Sequence, residues 1–155
     1  MFPNPNCYRL RQLSKDFTRV VADMSRDKFA SLSQRLKAYV DDVSFDSHPS
    51  ANGLLDTLIS AKTHGYELPK EIDDQLLRDL EDLVVNEWFY GAMQSNEVRR
   101  LGLGRLAGEI KDRMVRRANG TDKQIGEDNY KLAIYSGHDT TIAPLLIILG
   151  GFDKR

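Results

Sequence analysis

A histidine and an aspartate, His138 and Asp139, stand side by side in the polar segment 137–141. The mostly apolar residues 131–136 before them predict a buried strand, and residues 142–149 after them predict a buried helix. In an open α/β sheet, ligands bind beyond the carboxyl ends of the strands, and the N–H groups that begin a helix favour an anion. An imidazole there can donate to phosphate oxygens, and a neighbouring carboxylic acid can protonate a leaving alkoxide. The pair therefore fits phosphoryl transfer with general acid catalysis.

A purely structural role for the same residues is the alternative. Asp139 or Thr140 would then cap the following helix, and His138 would be an ordinary turn residue. A bare His-Asp pair does not decide between these interpretations, so the surrounding sequence has to be considered.

Apolar side chains recur at helical spacing through most of the chain before this pair. The helices that the spacing predicts are a long or broken one over 17–42, a short one that Ser50 or Asn52 caps, an amphipathic one over 72–88, and one from about Ser95 that Asn119-Gly120 ends. Residues 44–50 are rich in Ser, Asp and Pro and predict a loop, and the polar residues 121–129 suit a linker.

These elements together predict an α/β protein in two parts. Residues 1–128 form a helical region, and residues 129–155 form a β-α unit that contains the His-Asp pair. We therefore expect the predicted strand and helix to place His138 and Asp139 at the edge of a sheet.

Length and composition are those of an ordinary soluble domain. The chain has 155 residues, of which 41% are hydrophobic and 29% charged, with a net charge of -1. Overall charge thus gives no electrostatic case for nucleic acid or an anionic membrane as partner. The longest nearly apolar run, 141–149, is shorter than the ~20 residues that cross a bilayer, and residues 1–6 lack the features of a signal peptide. Cys7 is the only cysteine, which excludes an internal disulfide.

The string Ile134-Tyr135-Ser136-Gly137-His138-Asp139-Thr140-Thr141-Ile142 closely resembles the C-terminal signature of the histidine acid phosphatases. These enzymes form branch 2 of the histidine phosphatase superfamily. Softer similarities to the family lie upstream, at residues 64–69, 89–91 and 104–110. Cys7-Tyr8-Arg9-Leu10 is similar to a Cys-Pro-Arg segment of the lysophosphatidic acid phosphatase-like members, with Tyr8 in place of the proline.

The resemblance implies a histidine-phosphatase-like α/β/α core with a mainly helical cap region. It implies that His138 contacts the transferred phosphoryl group and that Asp139 donates the proton to the leaving oxygen. The reaction would be hydrolysis of a small phosphomonoester through a phosphohistidine intermediate, with no metal or other cofactor. The family is often secreted or lysosomal, but neither the compartment nor the substrate can be read from this sequence.

The chain departs from the family in one major respect. The family's nucleophilic histidine lies in an Arg-His-Gly-x-Arg-x-Pro motif near its N-terminus, and no Arg-His dipeptide occurs here. We therefore expect the chain to be a C-terminal portion of such an enzyme that lacks the nucleophile. The sequence does not decide whether this portion is active by itself.

Two other functions remain open at this stage. A metal-dependent phosphohydrolase of the His-Asp domain type would use His138 and Asp139 with His48 or His64 and with Asp153 as ligands. A non-catalytic helical interaction module would instead self-associate through the exposed sheet edge of the strand around Ile134. Two arginine pairs, Arg99-Arg100 and Arg116-Arg117, can attract phosphate, but they flank helical stripes and favour a solvated face.

Overall fold

The computed structural model describes residues 6–121 and 132–152, and the regular structure in these ranges is helical. The helices are α1 (Tyr8–Met24), α2 (Arg26–Leu36), α3 (Ala51–Thr63), α4 (Asp74–Gln94), α5 (Asn96–Arg99), a π-helical segment (Arg100–Gly104), α6 (Arg105–Ala118) and α7 (Asp139–Ile148). The predicted linker over 121–129 and the predicted boundary at 128/129 lie almost wholly outside the described residues.

The predicted α/β fold class is wrong, because the described ranges contain no strand. Residues 132–138, where most of the strand was expected, have neither strand nor helix structure. They are not buried either, since Leu132 is 73% and Ile134 81% exposed. Apolar and β-branched residues make a segment suitable for a strand, but a strand forms only where a neighbour pairs with its backbone. Among the described residues this segment has no such neighbour, and no sheet edge is present for the predicted self-association.

The chain divides into two compact units. The central unit comprises Ser14–Gly91, and the terminal unit comprises Met1–Leu13 together with Ala92–Arg155. Since α1 and α4 each pass from one unit into the other, the division does not coincide with the ends of helices.

The core of the central unit is built from the apolar stripes of its helices. Its buried members are Leu32, Leu36, Val43, Ala51, Ile72, Leu76, Leu77, Leu80, Leu83 and Val84. The predicted helix over 17–42 is the broken one, since α1 ends at Met24 and α2 begins at Arg26. The first of these helices also begins earlier than the predicted residue 17, because α1 starts at Tyr8.

Side-chain caps fix where helices of the central unit begin. The Ser50 hydroxyl accepts a hydrogen bond from the Gly53 N–H at 3.3 Å, which confirms the predicted cap of α3. A carboxylate oxygen of Asp73 accepts from the Leu76 N–H at 2.8 Å at the start of α4. Arg35 pairs with Asp73 at 2.9 Å. This contact connects α2 to the first turn of α4, although such exposed pairs contribute little to stability.

The terminal unit contains α5, the π-helical segment, α6 and α7. Ser95 caps α5 by accepting from the Val98 N–H at 3.3 Å, and α6 ends at Asn119-Gly120 with Gly120 in the left-handed region at φ 67°. Both ends confirm the predicted helix limits, whereas the π-helical turn between them was not predicted. Arg9 donates to both carboxylate oxygens of Glu97, at 2.8 and 2.9 Å, and joins the start of α1 to α5. Helix α7 packs against the π-helical segment.

Candidate functional site

The His-Asp pair lies at the N-terminal end of α7. His138 is the N-cap residue, with extended backbone angles of φ -77° and ψ 168°, and Asp139 is the first helical residue. The His138 carbonyl accepts hydrogen bonds from the N–H groups of Thr141 and Ile142, each at 2.9 Å. The sequence predicted that this helix begins at Ile142. It begins earlier, at Asp139, because the polar residues of the motif form its first turn. The predicted placement at a helix start is confirmed, but a strand does not precede it.

The Asp139 side chain turns toward the helix start. Its Oδ1 atom accepts a hydrogen bond from the Thr140 N–H at 2.7 Å, while the His138 side chain makes no capping bond. A carboxylate at this position is favoured because the first N–H groups of a helix lack helical partners and carry partial positive charge. Part of the structural alternative is therefore correct, since Asp139 satisfies one of these free N–H groups.

Gly137 and Thr141 pack closely around the bend at His138. A β-carbon added to Gly137 would lie 3.3 Å from the Thr141 Cβ, closer than ordinary van der Waals contact. The small residue before the histidine therefore lets the first turn of α7 fold back against the chain that enters it. We assigned Gly137 no such role from the sequence, although its position next to the histidine was the available signal.

The remainder of α7 is apolar, with one interruption. Pro144 lies inside the helix and has no N–H, so the Thr140 carbonyl receives no hydrogen bond from position 144. Gly150 closes the helix in the left-handed region at φ 73°, as Gly150-Gly151 predicted. Ile142 and Leu146 on this helix are 50% and 43% exposed. The site thus stands on a helix that is only partly packed within the described part of the chain.

Both candidate residues are in contact with solvent. His138, Asp139 and Thr140 are all exposed. Water therefore screens any charge that they present to a ligand, and a phosphate bound by these groups alone would be held less strongly than in a closed pocket.

The structure does not bring together the ligands of the metal-dependent alternative. His48 and His64 belong to the central unit and are exposed, and Asp153 lies outside the described residues. Within 6–121 and 132–152, no group of three His, Cys, Asp or Glu side chains is arranged to hold a metal ion. Among the helices in these ranges, none is both long enough and apolar enough to span a bilayer.

Comparisons with a family model and with individual proteins point to the same family over nearly the whole chain. Residues 3–155 match the histidine phosphatase superfamily (branch 2). A "probable acid phosphatase" of Schizosaccharomyces pombe is 35% identical over 161 aligned positions, which cover 100% of this chain and 34% of that protein. A "probable acid phosphatase" of Dictyostelium discoideum is 26% identical over 95% of this chain and 32% of its own length. The chain therefore spans about a third of the length of these relatives. No solved structure matches it significantly.

Proposed function

Since the chain belongs to the histidine phosphatase superfamily (branch 2), we propose that it supplies the His138–Asp139 pair to a site that hydrolyses phosphomonoesters. The observation that carries this proposal is the position of the pair at the first turn of a ten-residue helix, with both side chains exposed to an incoming ligand. The relatives' names support an acid phosphatase activity.

His138 serves as the phosphate contact in this proposal. A protonated imidazole donates from its ring nitrogens, and phosphate oxygens are strong acceptors of such charge-assisted hydrogen bonds. Because His138 is the N-cap residue of α7, a phosphate held by its ring also lies close to the positive end of the helix dipole. The side chain makes no capping bond that it would have to give up.

Asp139 serves as the proton donor. A histidine nucleophile attacks phosphorus to form a P–N bond, the P–O bond to the leaving group breaks, and the protonated Asp139 carboxyl gives its proton to the leaving oxygen. Water then attacks phosphorus and loses its proton to the Asp139 carboxylate as the P–N bond breaks, which releases inorganic phosphate. In the resting structure Oδ1 accepts from the Thr140 N–H, so Oδ2 is the oxygen that would hold the proton and donate it to the leaving group.

The nucleophile in this scheme is not assigned to a residue of this chain. The motif that holds it in the family contains an Arg-His dipeptide, and that dipeptide is missing from these 155 residues. Phosphate binding by His138 and proton donation by Asp139 are therefore separate claims, and they require separate experiments.

Phosphate binding is tested by titrating the 155-residue chain with inorganic phosphate at mildly acidic pH and following its histidine side chains by NMR. The chain contains three histidines, so His48 and His64 serve as internal controls in the same spectrum. We expect a saturable shift of the His138 ring signals and none at the two controls, and we expect a His138→Asn variant to lose the binding. Equal shifts at all three histidines would contradict the assignment.

Proton donation is tested by hydrolysis of an aryl and an alkyl phosphate at mildly acidic pH, with and without chelator. An Asp139→Asn substitution should lower the rate about 10²–10⁴-fold for the alkyl ester, whose alkoxide needs protonation, and less for the aryl ester. Asp56→Asn, which changes an exposed acid on α3, is the matched control and should leave both rates unchanged. A folded chain that binds phosphate at His138 but shows no turnover would restrict the proposal to binding.

A further inference from the structure

Charge is distributed unevenly along the chain, although the net charge is only -1. The last eight residues of α6, 111–118, contain four basic side chains and one acidic one. All but one of these residues are exposed, the exception being the partly buried Arg116. Lys111 forms an exposed ion pair with Asp112 at 2.8 Å, but the four basic side chains outnumber the single acidic one, so this end of α6 is positively charged although the whole chain is nearly neutral.

The same helix presents an apolar strip between its basic side chains. Leu106, Ile110 and Met114 follow one another at four-residue intervals and therefore share one face. Leu106 and Ile110 are partly buried, whereas Met114 is 67% exposed. Val115 follows Met114 in the sequence, lies about 100° farther around the helix and is 47% exposed. The strip is thus partly buried in the first half of α6 and exposed toward the end of the helix.

Basic residues at a helix C-terminus have an ordinary explanation, because they complement the negative end of the helix dipole. That explanation concerns the charges alone and does not involve Met114 and Val115, which are exposed on the same turn of the helix. By their helical positions, with 3.6 residues to the turn, Arg113 flanks the strip on one side, and Lys111 lies on the other side, between Met114 and Val115. Long basic side chains that flank an apolar face can lie along it and keep their charges at its edge. The combination is typical of helices that lie in a membrane interface.

We propose that the C-terminal half of α6, Lys111–Ala118, docks on the surface of an anionic phospholipid bilayer. The cationic side chains would contact lipid phosphates, and Met114 and Val115 would enter the headgroup region. A stable protein–protein interface buries about 800 Å² of surface on each partner, which two exposed apolar side chains do not provide. Shallow insertion supported by several charges needs much less apolar area. Helix α7 is also apolar and partly exposed, but it has no basic residue to indicate an occupant.

This inference is independent of the proposed phosphatase site, and vesicle co-sedimentation of the 155-residue chain tests it. We expect binding to vesicles of phosphatidylcholine with a third phosphatidylserine, weak binding to pure phosphatidylcholine, and release by high salt. Replacing Lys111, Arg113 and Arg117 together by glutamine should weaken partitioning on the order of a hundredfold, since each charge contributes about fivefold. A control variant with glutamine at Arg19, Arg26 and Lys37 removes three exposed charges from the central unit and should bind nearly as well as the unmodified chain.

The apolar contribution has an equally close control. Met114 on α6 and Met24 on α1 are both 67% exposed. Met114→Gln should lower partitioning roughly fivefold through lost insertion, whereas Met24→Gln should leave it unchanged. The proposal is overturned if anionic and neutral vesicles bind equally, if both charge variants lose binding equally, or if acidic proteins bind while vesicles do not.

Discussion

Gly91 of α4 gives a sharp test of packing in the central unit, because a neighbouring ring leaves no room for a β-carbon. A β-carbon added there would lie 3.0 Å from Cδ2 and 3.2 Å from Cγ of Phe17. The Phe17 ring packs edge-to-face on Tyr90, with ring centroids 6.1 Å apart. The ring therefore cannot move away from the new methyl group without disturbing this contact. We predict that Gly91→Ala destabilises the central unit.

The size of the effect follows from two opposing contributions. Alanine is favoured over glycine in a helix interior by about 1 kcal/mol. Forcing a methyl group into occupied space costs about 1–3 kcal/mol. Gly108 on α6 has no atom within 4 Å of the same added carbon, so Gly108→Ala should show the favourable contribution alone. The two substitutions should therefore differ by about 1–3 kcal/mol in the free energy of unfolding, with opposite signs expected when the clash dominates.

Urea unfolding measures both variants. Trp88, the only tryptophan, belongs to the central unit and reports its unfolding by fluorescence, while circular dichroism follows the Gly108→Ala variant. The Phe17→Ala substitution removes the clash, so in that background Gly91→Ala should become stabilising. A double-mutant cycle of the two substitutions measures the coupling energy between positions 17 and 91. If Gly91→Ala stabilises the unmodified protein as much as Gly108→Ala does, the reasoning from the Phe17 contact is wrong.

Three further predictions concern the central unit and use the same urea assay. Leu80→Ala, at a fully buried side chain, should cost about 2–5 kcal/mol, whereas Ile59→Ala, at a side chain 44% exposed, should cost far less; equal costs would contradict the assigned core. The Leu76 N–H bond holds the pKa of Asp73 below its ordinary value of 3.8, so this carboxylate stabilises the fold above that pH. Its contribution should be lost as the pH falls through the lowered folded pKa, and Asp73→Asn should lose less stability between pH 5 and about pH 3. Partial burial raises the pKa of Glu87, so the charged form of this side chain opposes folding. Glu87→Gln should therefore raise the urea midpoint at pH 7, and should raise it less at about pH 4. An equal rise in the midpoint at both pH values would refute this prediction.

Sequence periodicity predicted the helices well because their burial is decided by neighbours along the chain. Leu76, Leu80 and Leu83 share one face of α4 wherever that helix lies, and all three are buried as the spacing indicates. Capping is equally local, and the sequence could therefore limit the cap of α3 to Ser50 or Asn52, of which Ser50 is the cap in the structure. The break at Ser25 and the π-helical turn over Arg100–Gly104 depend on how consecutive helices pack, and the sequence pattern did not locate either.

The predicted strand failed for a related reason. The apolar residues 131–136 were suited to a strand, but pairing depends on a second segment at any distance along the chain. Periodicity contains no information about such a partner. Ile134 is 81% exposed in the described structure, so its apolar character did not result in burial. A pattern that is sufficient for a helix, whose hydrogen bonds are all local, is therefore insufficient for a strand.

The candidate site divides in the same way between local and distant requirements. His138 and Asp139 were found from a short motif because a helix start, its free N–H groups and the adjacent side chains are fixed by a few consecutive residues. Catalysis requires more, namely oriented groups around the reacting phosphorus and the exclusion of water that strengthens their charges. In the proposed function the exposed pair would supply the first contact to phosphate and one proton donor, and water screens both groups. We therefore expect phosphate binding at His138 to be measurable in this chain before turnover is, and faster turnover wherever additional groups enclose the first turn of α7.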